Sequence, residues 1–134
     1  MIGWREEIFL PELGAGGVVA KIDTGAKISA LHAESISVAD DVVKFSVLMG
    51  GRERHCVAPL ASQKRIKSSN GHSELRPVIE TVIQVGEHLF PALVTLTNRT
   101  DMGVPMLLGR ISLKGRFLVH PARSFIQSRK KKLS

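Results

Sequence analysis

The sequence predicts an all-β fold, a small closed or nearly closed barrel with at most one short helix. Three observations lead there: short apolar and β-branched runs recur along the 134 residues, turn-forming pairs punctuate them closely, and nothing carries the apolar period of a long helix. Candidate strands fall at 8–10, 18–22, 28–32, 42–49, 55–58, 64–69, 72–79, 82–85, 89–96, 106–108 and 117–119. The intervening turns are the glycines of 14–17, Asp40-Asp41, Gly50-Gly51, Gly86-Glu87 and the stretch 100–103. No internal repeat interrupts this series.

The run Val18, Val19, Ala20, Ile22 reads as a buried strand, and it delivers Asp23-Thr24-Gly25-Ala26. A strand ending in a tight turn presents an acid at its tip; Gly25 lets backbone approach closely and Thr24 adds a short hydroxyl. The same residues also suit a plain polar turn with Asp23 as a solvated or capping acid. In the middle of the chain, Asn70-Gly71 is the dipeptide that best specifies a two-residue hairpin turn, and the arms 64–69 and 72–79 flank it. Toward the end, Pro105-Met106-Leu107-Leu108-Gly109-Arg110 is a short buried run closed by glycine and a cation.

Composition sets the outer limits. A chain of 134 residues with 43% hydrophobic content suits one compact domain, expected over 1–124, with a basic and disordered segment over 125–134. Trp4-Arg5-Glu6-Glu7 breaks any apolar leader, and no run approaches the roughly 20 apolar residues of a membrane span. Cys56 is the single cysteine, so no internal disulfide forms, which is consistent with a reducing cytoplasm. Because neighbouring residues on a strand face opposite ways, Cys56 and His55 are not read as a nucleophile pair; Cys56 is expected in the core.

The net charge of +7 is unevenly spread. Eight cations and no acid lie from Arg110 onward, while the rest of the chain is almost neutral. Arg129-Lys130-Lys131-Lys132 suits attraction to RNA, a ribosome or an anionic substrate, or a simple solvated end. Sequence-specific nucleic-acid reading is disfavoured, because one Trp and no Tyr leave no aromatic and basic interleaving for a stacking platform.

Asp23-Thr24-Gly25-Ala26 resembles the active-site turn of an aspartic protease, and the 105–110 run resembles the second signature of retroviral-type enzymes, the strand that passes behind that turn. The Asn70-Gly71 hairpin stands where those enzymes carry a mobile flap. With Ala20-Lys21-Ile22, Lys27, Ser29-Ala30-Leu31-His32-Ala33 and Leu96-Thr97-Asn98-Arg99, the chain is similar to the bacterial retropepsin-like family found beside ATP-grasp glutamate ligases. Its members carry the label ATP-dependent zinc protease, and its RimB branch partners a ligase that adds glutamates to a ribosomal protein.

The resemblance implies a retropepsin-like closed barrel with a flap and a helical turn near 111–114. One Asp-Thr-Gly per chain implies a homodimer, since the chemistry needs two facing carboxylates. Asp23, Thr24 and Gly25 are then the catalytic turn, and Ala26, Lys27, Ser69, Asn70, Gly71, His72, Arg76 and Arg110 the substrate-binding set, with the three cations suited to carboxylates of a glutamate-rich peptide or to solvated and internal ion-paired roles. The implied partners are a second copy, a peptide or polyglutamylated protein substrate and an ATP-grasp glutamate ligase, with no membrane.

Two positions depart from the pattern. Lys27 stands where retroviral enzymes hold an acid that pairs the later arginine, so Arg110 needs another partner or faces substrate, and His120 replaces an expected acid. Zinc finds little support: His32, His55, His72, His88 and His120 form no H-E-x-x-H helix, and no cofactor is expected. No glycine-rich phosphate loop supports ATP binding by this chain. A second reading stays open, a catalytically silent β module that docks a glutamate ligase or its ribosomal target.

Overall fold

The computed structural model describes residues 1–14, 17–49, 51–67, 71–98 and 103–128. They are all-β apart from a 3-10 turn at Pro11–Leu13 and one helical turn, α1, at Arg110–Leu113. The strands are β1 (Ile2–Gly3), β2 (Arg5–Ile8), β3 (Val18–Asp23), β4 (Ser29–His32), β5 (Glu34–Ala39), β6 (Val42–Met49), β7 (Arg52–Lys67), β8 (Ser73–Val85), β9 (His88–Thr97), β10 (Met106–Gly109) and β11 (Val119–His120).

Nine of them form one sheet in the order β2-β3-β10-β4-β9-β8-β7-β6-β5, while β1 and β11 make a separate parallel pair. β10 lies between β3, to which it is parallel, and β4, to which it is antiparallel. That placement needs a strand able to bury both faces, and the run Met106, Leu107, Leu108 supplies one.

The expected closed barrel is not formed: the sheet order ends at β2 and β5 rather than joining them. The reason lies in the long strands. β7 pairs with β6 from Arg52 to Pro59 and with β8 from Leu60 onward, so the β5–β6 arm is carried away from the rest of the sheet. The free edge at β5 is blunted in place of being paired: it is largely exposed, its register shifts between Glu34 and Ser37, and Ser35 sits at φ 53°. The arms still share one core, in which Val43, Phe45 and Val47 of β6 join Ile8, Leu31, Ile79, Ile83, Leu96 and Leu108.

Cys56 lies in that core at 5% exposure while His55 faces out. Burial pushes the Cys56 thiol up, with Arg54 partly opposing, as suits a buried structural sulfur. The end of the described chain folds back on its start: Trp4 N–H donates to Arg123 O and Phe125 N–H to Arg5 O. Beneath them Glu6, fully buried, accepts from the backbone N–H groups of Gly3, Ile126, Gln127 and Ser128 and from the Ser128 hydroxyl.

Candidate active site

β3 ends at Asp23, and the chain reverses at once, with Ala26 N–H donating to Asp23 O at 3.2 Å. The Asp23 carboxylate accepts the Gly25 N–H at 3.0 Å, a local bond two residues on that fixes the side chain over the turn. Asp23 is half-buried; Thr24 and Gly25 are exposed. The acid therefore stands at a strand tip with much of its acceptor capacity unused among the described residues.

The turn is held from behind by the β10–α1 junction. Gly109 is in register with Asp23, Arg110 N–H donates to Ala26 O at 2.8 Å, and Ile111 N–H donates to Lys27 O at 3.1 Å. A methyl at Gly109 would sit 2.5 Å from the Ile28 carbonyl carbon, so only glycine lets the two backbones approach this closely. Gly109 N–H in turn donates to Ser29 Oγ at 3.0 Å, and Ser29 Oγ lies 3.3 Å from Ser112 Oγ, both serines being buried. Neither of these two positioning serines has a role in the sequence reading: Ser29 enters only within the family-like run Ser29-Ala30-Leu31-His32-Ala33, and Ser112 is not singled out.

Asp23, Thr24, Gly25, Ala26, Lys27 and Arg110 thus fall in one place. The Arg110 guanidinium finds its partner in the turn itself, reaching Thr24 O at 3.5 Å and Gly25 O at 3.4 Å. Lys27 is exposed. Beside them is a cavity of about 370 Å³ with Ile111, Leu113, Phe117 and Val119 as apolar wall and Lys27, Arg110 and Lys114 as its cations.

The remaining candidates belong to the β7–β8 hairpin. Its arms pair from Leu60↔Ile79 to Lys67↔Ser73, Gly71 adopts φ 87° as a turn glycine does, and His72 is exposed. Ser69 and Asn70 lie outside the described residues. Arg76 is 9% exposed and is paired within the hairpin, Nη2 donating to Glu74 Oε2 at 3.3 Å, while its buried Nε has no acceptor among the described residues. His120 Nδ1 accepts the Ala122 N–H, a local turn contact.

The donors among the described residues do not fit a zinc site. Among the described residues no group of three or more His, Cys, Asp or Glu converges; His32 stands beside Glu34 and His55 beside Glu53 at separate places on the sheet.

The chain resembles a Legionella pneumophila protein of unknown function over 95% of this chain and 97% of that one, with TM-score 0.79 and 27% identity. It is 38% identical over 133 residues to a probable alpha-L-glutamate ligase of Shewanella pealeana, 93% of this chain but 29% of the relative. A probable alpha-L-glutamate ligase of Desulfotalea psychrophila is 35% identical, over 91% of this chain and 28% of its own length. The chain thus spans under a third of these curated relatives. The profile of the RimB-like family, described as retropepsin-like aspartic endopeptidase RimB, matches residues 1–130, and the chain belongs to that family.

Proposed function

We propose that the protein is an aspartic peptidase that works as a homodimer, each subunit giving one Asp23 to a shared water. The observation that carries this is the turn: a single acid at a strand tip, braced from behind by backbone bonds from α1, with a single described donor on its carboxylate. Family membership supports the reaction class. Two such acids brought face to face share one proton, because like charges that close do not both ionise readily. The ionised Asp23 takes a proton from the water as it attacks the scissile carbonyl, and the protonated one hydrogen-bonds to the carbonyl oxygen.

Thr24 is assigned to locking the paired turns, Gly25 and Ala26 to backbone contacts with the substrate, and the hairpin from Ser69 to His72 to closing over it. Lys27 and Arg110 beside the turn, and Arg76, whose Nε has no acceptor among the described residues, favour an anionic chain, and we assign them to carboxylates of a glutamate-rich tail. Relatives named as glutamate ligases make a ligase product a coherent substrate and a ligase a coherent partner in the cytoplasm.

The test is intact mass of a glutamate-tailed protein after incubation with wild type and with Asp23→Asn, between about pH 4 and pH 8. Loss of glutamates with wild type alone, unchanged by a chelator, is the expected result; equal trimming by the variant removes the mechanism. A second reading, a silent module that docks a ligase, draws on the small share of the ligase-named relatives that this chain spans. It predicts no mass change at any pH, together with ligase binding that Asp23→Asn leaves intact.

A further inference from the structure

A larger cavity, about 590 Å³, lies where β7 and β8 part. Above the Leu60↔Ile79 pair the two strands are zipped; below it β7 pairs only with β6, and β8 pairs with β9. From Glu80 to Ile83 the other edge of β8 has no strand beside it among the described residues, until Phe9 bridges to Gln84. That stretch of edge between Ile79 and Gln84 is about 16 Å long, and the 3-10 turn Pro11–Leu13 packs beside part of it.

The Val82 N–H of that edge is taken by a side chain: Glu12 Oε1 accepts it at 3.0 Å, standing where the carbonyl of an added strand would stand. Val57, 60% exposed, and Pro59 give the cavity an apolar side. Glu12 and Glu80 give it two carboxylates, and no Lys, Arg or His lines it among the described residues. Thr81 also lines it; its hydroxyl is buried and has no hydrogen-bond partner among the described residues. In a chain of net charge +7, such an acidic slot is a local inversion of the overall field.

We propose that this slot binds an extended peptide segment bearing lysine or arginine by strand addition to β8. Backbone groups of the segment take the β8 edge beside the Pro11–Leu13 turn, apolar side chains meet Val57 and Pro59, and the cation lies between Glu12 and Glu80, with Glu12 exchanging Val82 N–H for the incoming carbonyl. The site does not involve Asp23 and stands whether or not the protein cleaves peptides.

The probe is a fluorescein-labelled, end-capped peptide of alternating lysine and valine, followed by anisotropy, with glutamine-for-lysine and glutamate-for-lysine versions alongside. The lysine peptide is expected to saturate wild type and Asp23→Asn equally, and to bind about tenfold more weakly to Glu80→Lys and Glu12→Gln. Amide resonances of Val82 and Val57 are expected to shift with the lysine peptide. Glu80 is exposed, so Glu80→Lys should melt as wild type does, which separates lost binding from lost folding. Binding unaltered in Glu80→Lys, equal binding of the glutamine peptide, or no saturation at millimolar peptide each overturns the proposal. So does a peptide-free dimer that Glu80→Lys dissolves, which would give the slot to a second copy.

Discussion

Glu6 and Asp23 sit on neighbouring strands of one sheet and have opposite surroundings. Glu6 is paired across to Ala20, three residues before Asp23, yet it is fully buried and takes four backbone N–H groups and a hydroxyl. Asp23 is half-buried and takes one N–H among the described residues. A carboxylate with its acceptor sites filled is a structural fastener, here tying residues 126–128 to the first strands. A carboxylate left underused at a rigid strand tip remains available for a water or a substrate. The comparison predicts that substitution at Asp23 is felt in activity and substitution at Glu6 in stability.

The largest expected effect is on turnover. Asp23→Asn keeps an oxygen for the Gly25 N–H, so unfolding free energy should stay within about 0.5 kcal/mol of wild type, while peptidase rate falls about a thousandfold or more. A parallel loss of melting temperature would make Asp23 a fastener like Glu6 and erase the contrast. Glu6→Gln is the converse experiment. It turns an amide NH₂ toward a nest of donors, and a loss of about 3 kcal/mol in a denaturant titration is expected, with activity per folded molecule retained.

Acid should sharpen the same contrast. Burial alone would raise the Glu6 carboxyl, but the N–H groups of Gly3, Ser128 and Gln127 and the Ser128 hydroxyl together outweigh it and hold Glu6 below the ordinary value of 4.5. The unfolded chain therefore binds the proton more tightly than the folded one. The stabilisation is complete above the ordinary value and is lost as pH falls below it through the lowered folded value. A melting series from about pH 3 to pH 7 should show wild type falling away at the acid end and Glu6→Gln falling less. Parallel curves would mean that other carboxylates carry the acid response.

Gly109→Ala tests how the turn is held rather than what it carries. The new methyl meets Ile28 backbone at 2.5–2.9 Å, and backbone does not yield as a side chain would. A cost of about 2 kcal/mol is expected, together with reduced turnover, since Ile28 continues from the Ala26 and Lys27 carbonyls that α1, the element following Gly109, holds. Unchanged turnover in a destabilised variant would show that the turn tolerates a shifted support.

These contrasts were unevenly legible in the sequence. The turn was readable because its determinants are consecutive: an apolar run, then Asp-Thr-Gly, with a second run ending in Gly109 to back it. The β7–β8 hairpin was readable from Asn70-Gly71, but neither its length nor its register was: Lys67 pairs with Ser73, so an odd number of residues separates the arms where a two-residue turn was expected. Polar residues such as Glu80 and Thr81 look like a break between 72–79 and 82–85, whereas β8 runs through them, with Glu80 exposed and Thr81 turned inward. The closed barrel failed for the same reason, because a strand that changes partner at Leu60 leaves no mark in local periodicity. Glu6 was the least legible: all its partners but Gly3 lie 120 or more residues away in sequence, and its neighbours Arg5 and Glu7 make it look like one more surface charge.

The smallest expected effect concerns Arg110, which stands between the two kinds of residue. Its guanidinium bonds to Thr24 O and Gly25 O are long, 3.5 and 3.4 Å, and the residue is exposed, so Arg110→Gln should cost about 0.5 kcal/mol or less in stability. Kinetics then decide its role. A rise in KM for an acidic peptide but not for a neutral one of the same length would mean that the cation reads substrate charge. A fall in kcat equal for both peptides would mean that it braces the turn, and the long bonds to the carbonyls would tighten when substrate is bound.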